Sequence, residues 1–444
     1  MRDILVTAMV FGALPFVFKR PWIGVLLWAW LSYMNPHRLA WGFAYNFPFA
    51  MIVAIVTLTA FFLSREKKTV PWTRETVVLL LFIGWMLLTT LFAWYPDYAW
   101  LEWDRVWKIQ LIVFLTAILI NTREKLDWLI WVIAGSLAFY GVKGGIFTLA
   151  SGGGFLVRGP SGSFIGGNNE LALALIMTIP LIWYLRMQQT KPWLRHGLAV
   201  AAALTAIAAV GSQSRGALLA ILAIGVFLWL KSRHKVATGL VMALVVAVLA
   251  ANLPQSWYDR MYTIQHYEQD GSALGRINAW YTAVNIANER LLGGGFNAFQ
   301  APTFKQYAPE PTRVHDAHSI YFEVLGEHGY IGLGLFLLLW LLAWRKATRV
   351  IRDCRNDPER KWAGDLAAMA QVSLVGYAVG GAFLGLAYFD LPYHFLIIIV
   401  LTARLVGLDG KTVPAAEPAP IPARGARLAP GRNPARAAKK PVGV

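Results

Sequence analysis

Thirteen apolar stretches recur along the chain, at residues 4–18, 21–34, 45–63, 76–95, 105–120, 127–149, 169–186, 197–211, 216–230, 236–252, 320–344, 366–388 and 393–408. A helix that crosses a bilayer needs about 20 mostly apolar residues, and somewhat fewer where the bilayer thins or the segment is packed in protein. The expected fold is therefore an all-α polytopic membrane protein with about 12 transmembrane helices, 12 or 13 according to how residues 4–34 are divided. Composition agrees. Of the 444 residues 57% are hydrophobic and 15% charged, whereas a soluble domain carries roughly 25% charged residues.

The formal net charge is +17. A nucleic-acid partner would need Lys and Arg gathered on a wetted face, but here they sit in short clusters between apolar runs, so none is expected. Short loops rich in Lys and Arg stay on the cytoplasmic side. Lys19–Arg20, the Ser64–Arg74 loop, Arg123 with Lys125, the Arg186–Arg195 loop, Lys231–Lys235, the Arg345–Lys361 loop and the tail from Arg404 hold most of the 41 Lys and Arg. The alternate loops are then external, periplasmic if the envelope is Gram-negative. The opening Met1–Arg2–Asp3 lacks a signal-peptide n-region, so the first segment should stay in the mature protein. The single cysteine, Cys354, excludes an internal disulfide and any Cys-based zinc or iron–sulfur site.

Four regions follow: transmembrane helices with short loops over 1–252, a periplasmic insertion over 253–319, transmembrane helices over 320–408, and a disordered basic cytoplasmic tail over 409–444 able to touch anionic lipid. The insertion is too polar to cross. It carries a helical stretch around Ala279–Arg290, a Gly293–Gly294–Gly295 break, and Pro302, Pro309 and Pro311 as punctuation. Long loops of this kind are more often functional than decorative.

The few cations left on the external side are the unusual ones, because a charge at membrane depth costs a few kcal/mol and tends to mark pairing or an anionic ligand. Arg215 stands in the very short turn Ser212–Gln213–Ser214–Arg215–Gly216, and Arg276 lies just before Trp280. Arg158 precedes Asn168–Asn169 at the head of a helix, and Arg260 and Arg313 share the insertion. For each the plain alternative is pairing with Asp259, Glu268 or Asp270, or snorkelling to a headgroup. The insertion closes on His315–Asp316–Ala317–His318–Ser319, followed by Glu323, Gly326, Glu327 and Gly329. A neutral imidazole can take a proton at ordinary pH, so His318 is a candidate general base. Two other readings stay open: a helix-start histidine that bonds backbone, or His315 and His318 as metal ligands lacking further partners.

No nucleophile elbow, Walker loop, zinc-protease helix or external D-x-D accompanies this set. Arginines plus a histidine suit a hydroxyl that displaces a diphosphate from a sugar carbon. Arg forks stabilise the leaving diphosphate, a histidine takes the incoming hydroxyl's proton, and no metal or other cofactor is required. A polyprenyl diphosphate donor would place the diphosphate at the membrane surface with its tail in lipid.

Ser214–Arg215–Gly216 on an external turn, Arg276 before a Trp, Leu291–Leu292–Gly293–Gly294–Gly295–Phe296, and Ala317–His318–Ser319 with Gly326, Gly329 and Gly332 together resemble the O-antigen ligase superfamily. That family includes lipopolysaccharide O-antigen ligases, polysaccharide polymerases and bacterial protein O-oligosaccharyltransferases. The start, from Pro21–Trp22–Ile23 through Asn35–Pro36–His37–Arg38, resembles a branch of exosortase-associated O-glycosylation ligases, a departure from the enteric ligases that bears on the acceptor. The resemblance implies a membrane glycosyltransferase (GT-C-like) architecture and a metal-independent, inverting transfer of glycan from undecaprenyl diphosphate to a hydroxyl of lipid A–core at the periplasmic face of the inner membrane. It further implies that Arg215 and Arg276 hold the diphosphate and that His318 deprotonates the acceptor, with Arg158, Asn169, Arg260, Arg313 and His315 as secondary candidates. An alternative acceptor is a protein Ser/Thr or the growing glycan. A lipid-linked saccharide transporter would instead need ionisable residues along a path through the bilayer, and Lys143 and Glu170 are nearly alone in mid-segment.

Overall fold

The computed structural model describes residues 1–66, 68–232, 234–252, 254–262 and 271–408; the expected tail over 409–444 lies outside the described residues. Among the described residues the structure is helical without strands. The helices are α1 (Arg2–Lys19), α2 (Trp22–Met34), α3 (Phe49–Leu63), α4 (Arg74–Leu91), α5 (Pro96–Leu119), α6 (Arg123–Ala150), α7 (Asn168–Gln188), α8 (Pro192–Gly211), α9 (Arg215–Lys231) and α10 (Lys235–Asn252), then α11 (Gln255–Tyr262), α12 (Gly271–Glu289), α13 (Ala301–Tyr307), α14 (Ile320–Asp353), α15 (Lys361–Gly380) and α16 (Asp390–Leu405). A 3-10 turn over Gly381–Phe383 extends α15.

Every apolar stretch read from the sequence overlaps one of these helices, though 21–34, 45–63, 76–95, 105–120, 366–388 and 393–408 run past a helix end, and among the described residues six helices are long and apolar enough to cross a membrane by length and composition: α4, α6, α7, α8, α14 and α15 with its 3-10 extension. The chain is thus a multi-pass membrane protein. Five of the remaining stretches fall short for identifiable reasons. Helices α2, α3, α9 and α16 have 13, 15, 17 and 16 residues; at ~1.5 Å per residue they span roughly 20–25 Å of a ~30 Å hydrocarbon core. The first half of α5 is charged, with Lys108 on Asp104 at 2.6 Å and Arg105 near Glu102 at 3.7 Å. Helix α16 is buried continuously from Asp390 to Ala403, so protein rather than lipid surrounds it and an apolar sequence is required on all its faces.

Local chemistry fixes where the helices begin. Thr73 and Thr76 form a capping box at α4, with Thr73 N donating to Thr76 Oγ1 at 2.9 Å, and Ser214 Oγ accepts from Ala217 N at 3.3 Å at the head of α9. Pro96 and Pro192 occupy first turns, where no amide donor is needed. Helix α14 is the axis of the site. It runs 34 residues with a break at Gly329 (φ 67°, ψ −172°). Below that break Phe336 meets Phe82 of α4 (5.9 Å between rings) and Trp340 meets Tyr393 of α16 (5.6 Å). Above it, Leu325 packs with Ala283 and Ala287 of α12.

Candidate active site

Among the described residues, three loops carry the positive-φ residues that are not glycine, apart from Asn35: Gln213 (φ 53°), Asn297 (φ 57°) and His318 (φ 41°). A left-handed backbone is costly for a residue with a Cβ, and such positions cluster where the surrounding structure holds a functional group in place. These are the same loops that supply Arg215, the glycine-rich break and the candidate base.

In the turn between α8 and α9, Ser212 Oγ donates to Ala209 O at 2.6 Å and Gln213 Nε2 donates to Gly153 O at 2.9 Å. Arg215 is the first residue of α9 and half-buried. A cation there opposes the helix macrodipole, which favours an anion close by. The loop carrying Arg158 packs on this turn, because Val157 N donates to Gly211 O at 3.2 Å and Asn168 Nδ2 donates to Ser212 O at 2.9 Å. Arg158 is exposed and Asn169 half-buried.

A run of contacts leads from α9 to the histidine. A Cβ on Gly216 would lie 3.3 Å from Phe383 Cβ, and the Phe383 ring is 6.4 Å from that of Trp280 on α12. Trp280 stacks on Phe322 at 4.9 Å and 11°, while its Nε1 donates to Ala317 O at 2.8 Å. Arg276, one turn before Trp280 on α12, is thereby brought beside the 315–319 segment.

His318 is half-buried, with Nδ1 3.6 Å from Asp316 Oδ2. Asp316 Oδ1 is held by Ala317 N at 2.8 Å, so the carboxylate is fixed. Burial is the main cause that pushes the His318 pKa below the ordinary 6.5; Asp316 opposes the shift, and Arg276 and His315 add to it. The ring is therefore neutral at physiological pH and can accept a proton. His315 lies 5.1 Å away, ring to ring, and its Nδ1 is 2.7 Å from the carbonyl oxygen of Asp316, so that nitrogen carries the proton. A Cβ on Gly275 would lie 2.7 Å from the His315 ring, which lets α12 approach closely enough to bring Arg276 in. Among the described residues no group of three or more His, Cys, Asp or Glu is placed to hold a metal ion.

The glycine-rich break acts on the helix behind the histidine. Gly294 N donates to Gly326 O at 2.9 Å, Gly295 N to Glu327 O at 2.8 Å, and Trp94 N to Gly294 O at 3.0 Å. The break thus clamps the first turns of α14 to the α4–α5 turn. Sequence reasoning left Glu323 and Glu327 without a role. Glu327 is buried and accepts from Asn297 N at 2.7 Å and from Tyr388 Oη at 2.6 Å, and Glu323 accepts from Ala387 N at 3.1 Å. Their i, i+4 spacing after His318 was the available signal.

Two secondary candidates stand apart. Arg313 pairs with Glu310 at 3.3 Å, and both residues' carbonyls accept from Asn278 Nδ2 at 2.9 Å, so Arg313 belongs to the scaffold of the insertion. Arg260 lies on α11, and its side chain, like Glu268 and Asp270, is outside the described residues.

Comparison with known families divides the chain in two. Residues 198–337, which include Arg215, Arg276, His318, Glu323 and Glu327, match the O-antigen ligase family model. Residues 1–190 match a family of unknown function. No curated protein matches the chain.

Proposed function

Because the chain belongs to the O-antigen ligase superfamily, a family of ligase- and polymerase-type membrane enzymes acting on lipid-linked glycans, we propose that it transfers O-polysaccharide from undecaprenyl diphosphate to a hydroxyl of lipid A–core at the periplasmic face. The observation that carries this reading is the half-buried His318, in a left-handed conformation with Asp316 Oδ2 3.6 Å from its Nδ1 and Arg276 close enough to act on its charge.

Asp316 faces Nδ1, so Nε2 is the nitrogen presented to an acceptor. As the acceptor oxygen bonds to the anomeric carbon, its proton passes to His318. The carbon–oxygen bond to the diphosphate breaks on the opposite face, and the electron pair leaves on the diphosphate, which stays on the lipid. Anomeric configuration inverts. Arg215 and Arg276 hold the developing negative charge, with Arg158 and Asn169 on the adjoining loop, so no metal takes part.

In a reconstituted ligation assay His318→Ala should lower kcat by about 10²–10⁴-fold, the usual worth of a general base. Arg215→Ala and Arg276→Ala should each cost roughly 10²–10³-fold, with activity in all forms indifferent to chelators. Full activity of His318→Ala would overturn the assignment of the base, and loss on chelation restored by a divalent cation would overturn the metal-free reaction. The acceptor is tested in a deletion strain. Lipid A–core free of O-chain supports the ligase; a single O-unit left on core supports a polymerase, and unglycosylated protein with intact lipopolysaccharide supports a protein O-oligosaccharyltransferase.

A further inference from the structure

At the far end of α14 from His318, roughly 45 Å along the helix at ~1.5 Å per residue, the head of α4, the last turns of α14 and the end of α16 enclose a crevice of about 910 Å³. Its lining holds Arg74, Arg345, Lys346, Arg349 and Arg352 against one carboxylate, Glu75. Glu75 is committed to Lys346 at 3.1 Å, both nearly buried. Asp353 sits outside the crevice and is shared by Arg352 at 2.9 Å and Arg349 at 3.5 Å. Arg74 and Arg345 are exposed and make no ion pair among the described residues. Arg74 also opens α4, where a cation opposes the macrodipole and an anion would relieve it. The rim is apolar: Trp72 is 68% exposed, and Leu342 lines the wall on the side toward the membrane-crossing part of α14. Arg404 donates to Thr69 O at 3.2 Å, which ties the segment before Trp72 to α16 beside the crevice.

We propose that this crevice is a binding site for the headgroup of an anionic phospholipid, phosphodiester on the arginines and acyl chains along the Trp72–Leu342 rim. A soluble anion would satisfy the cations but not the apolar rim; a zwitterionic lipid would satisfy the rim but bring its own cation among the arginines. Basic pockets between membrane helices recognise anionic headgroups in this way. The site is separate from the proposed transfer reaction and stands whether or not His318 is the base.

The test is lipid binding to the purified full-length protein in neutral detergent, read by native mass spectrometry and by thermal unfolding. Cardiolipin or phosphatidylglycerol should remain bound and raise Tm, and phosphatidylethanolamine and inorganic phosphate should do neither. Removing Arg74, Arg345 and Arg349 together as glutamines should weaken anionic-lipid binding by roughly a hundredfold, at about fivefold per cation. A control of equal charge loss at the heads of other helices, Lys191→Gln and Arg195→Gln at α8 with Lys235→Gln at α10, should leave it within a few-fold. Equal weakening by the two triples would reduce the effect to net charge and overturn the site, as would equal stabilisation by inorganic phosphate or by phosphatidylethanolamine. All three crevice arginines are solvent-facing, so the variant should fold; its Tm without lipid, compared with that of the control triple, checks this.

Discussion

Asp316 and Arg276 pull the proton affinity of His318 in opposite directions, Asp316 upward and Arg276 downward, on top of the lowering that burial causes. A general base works only while unprotonated, so activity should fall as pH drops through the His318 pKa, at a pH below the ordinary 6.5. Replacing Asp316 with Asn removes a group that favours the imidazolium, and the acid limb of kcat should move to lower pH. Replacing Arg276 with Gln removes a repelling charge, and the limb should move to higher pH beyond any loss of kcat. Rate–pH profiles of the two variants check this; displacement in the same direction would mean that the limb reports another group. Arg215, Arg276 and His318 were legible because cations and an imidazole are conspicuous outside cytoplasmic loops. The Asp316 contact was not, since it depends on the left-handed φ of His318, which residue spacing does not encode. Arg313 shows the converse: it was as conspicuous as the others, yet Glu310, three residues before it, takes its charge.

At the scale of elements, the glycine-rich break and the kink of α14 are a single device. Gly329 has a φ/ψ combination that essentially only glycine adopts, and a Cβ there would run into the Leu291 carbonyl oxygen. Gly293 (φ 65°) meets it from the other side, where a Cβ would lie 2.6 Å from the Glu327 carbonyl carbon. Gly329→Ala should therefore destabilise by about 1–3 kcal/mol from backbone strain alone, with loss of transfer activity, since the turns carrying Glu323 and Glu327 lose their clamp. Gly334→Ala, four residues into the uninterrupted helix with open space at its Cβ, should be neutral or stabilising by up to about 1 kcal/mol. Thermal unfolding in detergent distinguishes the two, and equal Tm values would mean that the kink carries no strain requirement. The pattern of apolar residues located α4, α6 and α7 well, because lipid-facing length is what hydropathy measures. It stopped α14 at 344, nine residues before the helix ends at Asp353, because the last turns are charged. It admitted α16 as a crossing like the others, because complete burial in protein and immersion in lipid demand the same apolar sequence.

For the whole molecule, the arrangement of charge and the position of the site make one claim about sidedness. Helix α14 begins at the residue after Ser319 and ends among Arg345, Arg349 and Arg352, so the candidate site and the most basic loops lie at its opposite ends. If short basic loops are retained in the cytoplasm, His318 must face the other compartment, where a flipped lipid-linked glycan would be found. The one native thiol, Cys354, is buried, and Cys354→Ser gives a background in which single cysteines report accessibility. Thr312 and Asn356 are exposed, one in the loop before His318 and one in the loop after α14. In intact cells with a permeabilised outer membrane, an impermeant maleimide should modify Thr312→Cys directly but Asn356→Cys only after the inner membrane is disrupted. The reverse pattern would place the arginines and His318 in the cytoplasm. Transfer to a periplasmic lipid A–core hydroxyl would then be impossible, whatever the geometry around His318, while the arginine crevice at the far end of α14 would face the outer leaflet instead.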